Sequence, residues 1–265
     1  MVTLENLTVS YRQHPALHHV SGQFAPGSLT AVVGPNGSGK STLLKSIVGL
    51  LPLAGGQLTV SASAGRIAYL PQVAEIERNF PIDVRDCVSL GCWPLKRAWG
   101  GMGGAQLQRV EAALHEVGLQ GFEHRPISSL SSGQLQRVLF ARLLVQNADL
   151  ILLDEPFNAI DSKTTAALLA IIARWHEQKH TVMVVLHNDA QVRQHFPQTL
   201  LLAREAVAWG RTEGVMTEAN LATARAMAEA WDDNADLCDI DGDIDAVTAS
   251  PMQATPKTPR TRLAA

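Results

Sequence analysis

The sequence predicts an α/β fold with a largely parallel sheet, and two observations lead to this prediction. Short apolar runs typical of strands recur between stretches with helical spacing, an alternation that is characteristic of parallel α/β sheets. The chain also has 265 residues, of which 46% are hydrophobic, so it can bury the core of one large domain. The predicted strands are 7–11, 29–33, 66–70, 150–154 and 182–186, followed by a hairpin of 200–203 and 206–209.

The end of strand 29–33 carries a glycine-rich loop that runs into a predicted helix at 41–50. The loop fits the pattern G-x-x-x-x-G-K-[ST], in which glycines let several backbone N–H groups point at one anion and the helix N-terminus adds positive potential. Lys40 can reach the β and γ phosphates of a nucleotide, and the Ser41 hydroxyl can bind Mg²⁺. The pattern therefore predicts a nucleoside triphosphate site rather than an incidental glycine turn. Its residues are Gly34, Pro35, Asn36, Gly37, Ser38, Gly39, Lys40, Ser41 and Thr42.

The stretch 73–144 interrupts the strand pattern and is predicted to be a helical insertion. Apolar residues recur there at helical spacing, as at Leu107, Val110, Leu114 and Val117. The glycine-rich run 99–104 is predicted to be a mobile loop between two of the helices. The α/β core would then consist of residues 1–72 and 145–230.

Strand 150–154 ends in two acids, Asp154 and Glu155. A buried strand that ends in this way delivers carboxylates to the edge of a sheet. Asp154 suits a position on or beside Mg²⁺, and Glu155 suits a base that polarises an attacking water. Alone, this pair could be no more than a solvated strand end, but together with a phosphate-binding loop it predicts hydrolysis of the nucleotide.

The charge distribution argues against a nucleic-acid partner. Residues 231–265 hold seven aspartates against three basic residues, a balance of −4, whereas the whole chain carries −3. This composition predicts an acidic, disordered tail after a nearly neutral folded part, without the basic surface that binds nucleic acid.

No apolar run approaches the roughly 20 residues of a membrane span, and no targeting pattern is found at the N-terminus, so a cytoplasmic location is expected. The three cysteines lack metal-site spacing and are expected to be reduced thiols.

A family resemblance enters at residues 130–134. Leu130, Ser131, Ser132, Gly133 and Gln134, about twenty residues before the Asp–Glu pair, resemble the signature sequence of ABC ATPases. From the residues alone, serines and a glycine at a helix start offer hydroxyl and N–H groups to an anion, although Ser131 could be only a helix cap. The resemblance implies that the anion is the γ-phosphate of ATP held by a second copy of the chain.

The resemblance covers roughly residues 2–230 and implies roles for four further residues. Tyr11 resembles the aromatic residue that stacks on adenine, and Gln72 the glutamine that contacts Mg²⁺ between two subdomains. Asp161 resembles a residue of the loop that contacts the second copy, and His187 the histidine that acts with Glu155 in hydrolysis. Each has a simpler alternative, since Tyr11 could end a strand, Gln72 could be a loop amide and His187 could cap a helix.

For the fold, the resemblance implies a P-loop NTPase of the ABC ATPase type in one nucleotide-binding domain, 1–230. A mostly parallel core sheet, an antiparallel β subdomain and the α-helical insertion would make up this domain.

Two positions depart from the family pattern. Ser132 replaces a usual second glycine, which crowds the backbone there, so slower turnover is expected. Asn188 follows His187 where many relatives carry an acid.

A narrower resemblance concerns the cargo. The segment 79–91, with the run FPIDVRDCVSLG, is similar to ABC ATPases of zinc and manganese importers, and so is the arrangement from Asp154 to Asp161. This implies import of a metal, with zinc first, manganese second and ferric chelates third. The implied partners are an integral-membrane permease, a second copy of the ATPase and, indirectly, an extracytoplasmic metal-binding protein. Binding to the permease would place the chain on the cytoplasmic face of the inner membrane.

Trp93 and Trp99 could line the groove that receives the permease, or they could pack inside the helical insertion. A soluble ABC ATPase of translation or repair and a nonhydrolytic regulatory module are the alternatives.

Overall fold

The computed structural model describes residues 1–11, 14–62, 66–72, 76–95 and 103–230. The side chains of residues 11 and 93–95 also lie outside the description, and so do residue 99 and the tail from residue 231. The strands are β1 (Val2–Tyr11), β2 (His14–Phe24), β3 (Leu29–Val33), β4 (Gly55–Val60), β5 (Ile67–Leu70), β6 (Leu150–Asp154), β7 (Thr181–Val185), β8 (Gln198–Ala203) and β9 (Glu205–Arg211). The helices are α1 (Lys40–Val48), α2 (Val84–Ser89), α3 (Gly104–Glu116), α4 (Ser132–Gln146), α5 (Ser162–Glu177), α6 (Asp189–His195), α7 (Thr212–Val215) and α8 (Glu218–Glu229).

The main sheet has six strands in the order β5-β6-β7-β3-β8-β9. Its pairs are parallel except for β8 and β9, which form the predicted antiparallel hairpin. Every residue of β3, β6 and β7 is buried, which fits strands covered on both faces. The prediction of a largely parallel α/β sheet is confirmed, and the carboxyl ends of β3, β6 and β7 meet at one edge.

The second sheet is antiparallel, in the order β2-β1-β4, and the strand analysis predicted only part of it. β1 begins at Val2 rather than at residue 7, and neither β2 nor β4 was predicted. Both missed strands are partly exposed edge strands, and β2 contains Pro15 and a left-handed residue, His19, with φ of 50°. Proline and irregular backbone are tolerated at sheet edges but weaken the alternating signal on which the prediction depended.

The main sheet separates two clusters of buried side chains. On one face, alternate residues such as Val33, Leu153 and Val184 pack with α5 and the helices between β5 and β6. On the other, residues such as Val32 and Leu152 pack with α1 and the antiparallel sheet. This alternation follows from the two-residue period of a strand, and it holds β3, with the loop after it, between two packed layers.

The described part of the stretch 73–144 is helical, with α2, α3, most of α4 and two short 3₁₀ turns at Leu90–Leu95 and Ile127–Ser129. Leu114 and Val110 of α3 are buried, as their spacing predicted. The predicted loop at 99–104 lies largely outside the described residues, and the predicted domain boundaries stay predictions. In the described ranges, every helix is too short or too polar to cross a bilayer.

Candidate functional site

The glycine-rich loop is held tightly between β3 and α1. Gly34 and Gly39 have φ of 150° and 91°, and a Cβ on either would overlap neighbouring backbone, Leu202 O beside Gly34 and Ala16 O beside Gly39. The backbone N–H of Arg204 donates to Ser38 O at 2.9 Å and anchors the loop to the β8–β9 hairpin. The conformation therefore requires glycine at both positions.

Lys40 lies inside this loop, with only 6% of its surface exposed. Its ammonium donates to Gly34 O at 3.0 Å, to Pro35 O at 2.7 Å and to Ser38 Oγ at 3.4 Å. Burial lowers the pKa of Lys40, and the charges of Glu155 and Asp154 oppose that shift. A group of phosphate oxygens would offer this amine stronger, charge-assisted hydrogen bonds than the carbonyls do.

The acids at the end of β6 reach the same loop. Asp154 is fully buried, and the Ser41 hydroxyl donates to its Oδ1 at 3.0 Å. The Gln72 amide, which follows β5, donates to Ser41 Oγ at 3.4 Å and to Glu155 Oε1 at 2.9 Å. Since β5 and β6 are neighbouring parallel strands, their carboxyl ends bring Gln72, Asp154 and Glu155 to the start of α1.

Glu155 lies at the centre of this cluster. Its backbone has a left-handed φ of 50°, a conformation that costs a non-glycine residue about 1–3 kcal/mol and is typical of functional sites. The Nε2 atom of His187, beyond the end of β7, lies 2.7 Å from Glu155 Oε1. The other carboxylate oxygen accepts a hydrogen bond of 3.4 Å from the amide of Asn158. Neighbours on both oxygens fix the direction of the carboxylate.

Asn158 is a site residue that the sequence analysis did not predict. It lies three residues after Glu155 and closes a turn, because its backbone N–H donates to Glu155 O at 3.2 Å. Asn158, Glu155, His187 and Asn36 line a cleft of about 700 Å³. The spacing of an asparagine three residues after an acid, in a turn that begins with Pro156, is the sequence signal that could have identified it.

The predicted signature element, residues 130–134, forms the start of α4. Ser131 caps the helix, because its Oγ accepts from Gln134 N at 3.2 Å while Gln134 Oε1 accepts from Ser131 N at 3.0 Å. This capping box shows that Ser131 acts as a helix cap, the simpler of its two predicted roles. Ser132 Oγ accepts from the guanidinium of Arg78 at 3.3 Å, a second contact that the sequence reasoning missed.

Asp161 is placed beside the signature helix by a similar cap. Its carboxylate accepts from the N–H of Thr164 at 2.9 Å and from its hydroxyl at 2.7 Å, at the start of α5. These hydrogen bonds lower the pKa of Asp161. Arg137 of α4 donates to the same Thr164 hydroxyl at 2.7 Å. The loop that contains Asp161 and the signature helix are therefore fixed to each other within one chain.

The structure thus groups the predicted residues into two clusters. Gln72, Asp154, Glu155 and His187 gather at the phosphate loop. In the second cluster, Ser132 of the signature element contacts Arg78, and Asp161 lies beside Gly133. The backbone of Tyr11 ends β1, but its side chain lies outside the described residues, so its place in the site stays a prediction.

Comparisons with known proteins match this arrangement. A family model described as ABC transporter matches residues 17–158. The chain is 40% identical over 220 residues to the manganese transport system ATP-binding protein MntB of Listeria monocytogenes, which covers 81% of this chain and 92% of that protein. It is also 40% identical over 227 residues to the zinc transport system ATP-binding protein TroB of Treponema pallidum, covering 82% of this chain and 84% of that protein.

Solved structures show the same fold. A transporter described as metal-chelate type, in an inward-facing conformation, matches with a TM-score of 0.76 and 29% identity, covering 85% of this chain and 88% of that one. A dimeric ATP-binding cassette with bound ADP and phosphate matches with a TM-score of 0.71 and 27% identity, covering 80% of this chain and 99% of that one. Since the family model matches more than half of the chain and these relatives cover most of it, the chain belongs to the ABC transporter family, as a subunit that binds and hydrolyses ATP.

Proposed function

We propose that this chain powers import of a divalent transition metal, with zinc as the first candidate, manganese the second and a ferric chelate the third. The observation that carries the ATPase part is the convergence of Gln72, Glu155 and His187 beside the phosphate loop. The metal part is supported by relatives named for manganese and for zinc transport, and by the segment 79–91.

Mg²⁺ is the metal ion that fits the oxygen atoms at the loop. Ser41 Oγ and Asp154 Oδ1 lie 3.0 Å apart, and Gln72 Nε2 lies 3.4 Å from the same hydroxyl, so Gln72 would bind the ion through its amide oxygen after the amide turns over. Hydroxyl, carboxylate and amide oxygens are the ligands that this hard cation prefers. When bound, Mg²⁺ offsets the negative charge of the β and γ phosphates. Ser41, Asp154 and Gln72 would hold it, and Lys40 would add a second positive charge from inside the loop.

Hydrolysis is assigned to Glu155 and His187. The Glu155 carboxylate, oriented by His187 and Asn158, orients the attacking water and accepts its proton as the bond to the γ-phosphorus forms. The bond between the γ-phosphorus and the oxygen that bridges the β and γ phosphates breaks, and ADP leaves with that oxygen. His187 keeps Glu155 Oε1 in place. Lys40 stabilises charge on the leaving phosphate oxygens.

Two copies of the chain would make each complete site. ATP would lie between residues 34–42 of one copy and Ser131, Ser132, Gly133 and Gln134 of the other. The dimeric cassette with ADP and phosphate, 27% identical, supports this pairing. Asp161 would lie in the contact between copies, and Tyr11 would stack on adenine. The capped start of α4, with hydroxyl and N–H groups, suits a γ-phosphate.

The membrane partner would dock in an apolar groove of about 210 Å³ beside the Gln72 segment. The groove is lined by residues that include Ile76, Glu77, Phe80 and Leu90, and Phe80 and Leu90 have 59% and 44% of their surfaces exposed. Large apolar side chains exposed at a groove are typical of a protein interface. We assign the groove to the permease, which would hold the chain on the cytoplasmic face of the cell membrane while an extracytoplasmic metal-binding protein delivers the cargo.

Vesicles that contain the chain with its permease test this proposal. We expect the metal-loaded binding protein to stimulate ATP hydrolysis and metal transport, more strongly when loaded with zinc than with manganese. Complexes with Glu155→Gln should dock equally well and transport nothing. Absence of stimulation by zinc, manganese and ferric chelate, while the chain still hydrolyses ATP, would overturn the assignment of cargo. Failure to co-purify any integral-membrane protein after mild detergent extraction would favour a soluble ABC ATPase.

A further inference from the structure

Arg78 connects two parts of the molecule that the proposed function uses separately. It is a partly buried residue of the segment 76–80, whose residues Ile76, Glu77 and Phe80 line the apolar groove. Arg78 itself contacts the signature element, where its guanidinium donates to Ser132 Oγ at 3.3 Å. One short stretch of chain therefore borders the groove and contacts the first residue of α4.

The contact depends on the unusual serine of this chain. A glycine at position 132 would offer no hydroxyl, so Arg78 would have no acceptor there. Because the guanidinium donates to the Ser132 oxygen, the hydroxyl hydrogen remains available for another acceptor. A planar, cationic guanidinium next to the start of α4 also adds positive potential where the helix N-terminus already attracts an anion. Both effects suit a phosphate that approaches from a second copy.

We propose that Arg78 is a positioning residue for ATP hydrolysis: it holds the Ser132 hydroxyl at the start of α4, where that hydroxyl would meet the phosphate presented by a second copy. The inference rests on the proposed pairing of two copies around ATP.

The first test measures ATP-dependent dimerisation in the Glu155→Gln background, where hydrolysis does not deplete the nucleotide. Added to this parent, Arg78→Ala and Ser132→Ala should each weaken the ATP-bound dimer about fivefold, the loss expected for one hydrogen bond. Together they should weaken it by clearly less than the product of the two single effects, because both remove the contact between Arg78 and Ser132. Ser132→Ala is chosen over glycine because it removes the hydroxyl and keeps the Cβ. Arg85→Ala is the matched control, since Arg85 is a nearby arginine that contacts His124 instead.

The second test measures ATP turnover of the complete transporter in vesicles. Arg78→Ala should lower the stimulated kcat about fivefold with little change in the KM for ATP, and Arg78→Lys should restore part of it. Arg78→Gln replaces Arg78→Ala in both tests if the alanine variant does not fold. If the parent forms no ATP-bound dimer, the pairing in the proposed function fails. If the parent dimerises and the effects of Arg78→Ala and Ser132→Ala multiply, or if Arg78→Ala behaves like Arg85→Ala, only the role of Arg78 is wrong.

Discussion

The phosphate-loop cluster and the signature cluster differ in how complete they are within one chain. At the phosphate loop, Gln72, Asp154, Glu155 and His187 are connected to one another and to Ser41 by hydrogen-bond contacts. At the signature element, Ser131 and Gln134 cap their own helix, and Ser132 is held by Arg78. One cluster is arranged for chemistry and the other for presenting a helix start. Under the proposed pairing, each active site would combine the phosphate-loop cluster of one copy with the signature cluster of the other.

The largest expected effect separates chemistry from binding at the phosphate loop. Replacing Glu155 by Gln keeps the size of the side chain and removes the carboxylate that accepts a proton from water. We expect kcat to fall by about 10²–10⁴-fold while ATP still binds. The measurement is ATP turnover together with nucleotide binding by titration. Turnover close to that of the unaltered protein would show that another group is the base.

A pH-dependent prediction distinguishes the two clusters. The phosphate-loop cluster contains a buried lysine, Lys40, and the described residues of the signature cluster contain none. Burial lowers the pKa of Lys40 below its ordinary value of 10.5, and bound phosphates would raise it again. Between this lowered pKa and the higher pKa that Lys40 would have with ATP bound, ATP binding should therefore take up a proton, and affinity should fall as pH rises through this window. Calorimetric titration in two buffers of different ionisation enthalpy measures the uptake.

The control for this effect is Lys40→Met, which should bind ATP far more weakly and without the proton uptake. Equal apparent binding enthalpies in both buffers for the unaltered protein, at a pH inside the window, would contradict a lowered pKa for Lys40. The same result would mean that the ammonium keeps its proton despite its 6% exposure.

The two clusters were not equally predictable from the sequence. The phosphate loop and the acids after β6 were found because each has a local pattern, a loop of fixed spacing and an apolar strand that ends in acids. Gln72 and His187 had no such pattern and depended on family resemblance, although the structure places both within 3 Å of Glu155 Oε1. Arg78 could not be found, because its contact with Ser132 joins residues 54 positions apart across the insertion.

The strands differ in the same way: some could be predicted from their own residues, and others depend on pairing with a distant strand. The fully buried strands β3 and β6 were predicted with their correct ends, because burial on both faces gives continuous apolar runs. The edge strands β2 and β4 were missed, since they owe their conformation to pairing with β1 rather than to their own sequence.

A smaller effect tests whether Asn158 belongs to the phosphate-loop cluster. Asn158→Ala removes the 3.4 Å hydrogen bond to Glu155 Oε2 and leaves the contacts of Oε1 intact. Because the contact is long, we expect kcat to fall only about threefold, with the KM for ATP unchanged. Asn220→Ala is the control, since Asn220 does not line the cleft beside Glu155 and its amide donates to Val215 O at 2.9 Å. A loss of affinity with kcat unchanged would place Asn158 in binding instead.

The smallest effect concerns Asp161 in the signature cluster, which caps α5 and would also contact the second copy. Asp161→Ala removes the cap of α5 and the link through Thr164 to Arg137. We expect the midpoint of thermal unfolding to fall by about 2–4 °C, as for the loss of one helix cap. Asp161→Asn retains a capping oxygen and should restore most of this loss. If Asp161→Asn is as stable as the unaltered protein but dimerises poorly with ATP, the carboxylate itself contacts the second copy. Equal dimerisation would assign Asp161 to the cap alone, and the contact between copies would then depend on other residues of its loop.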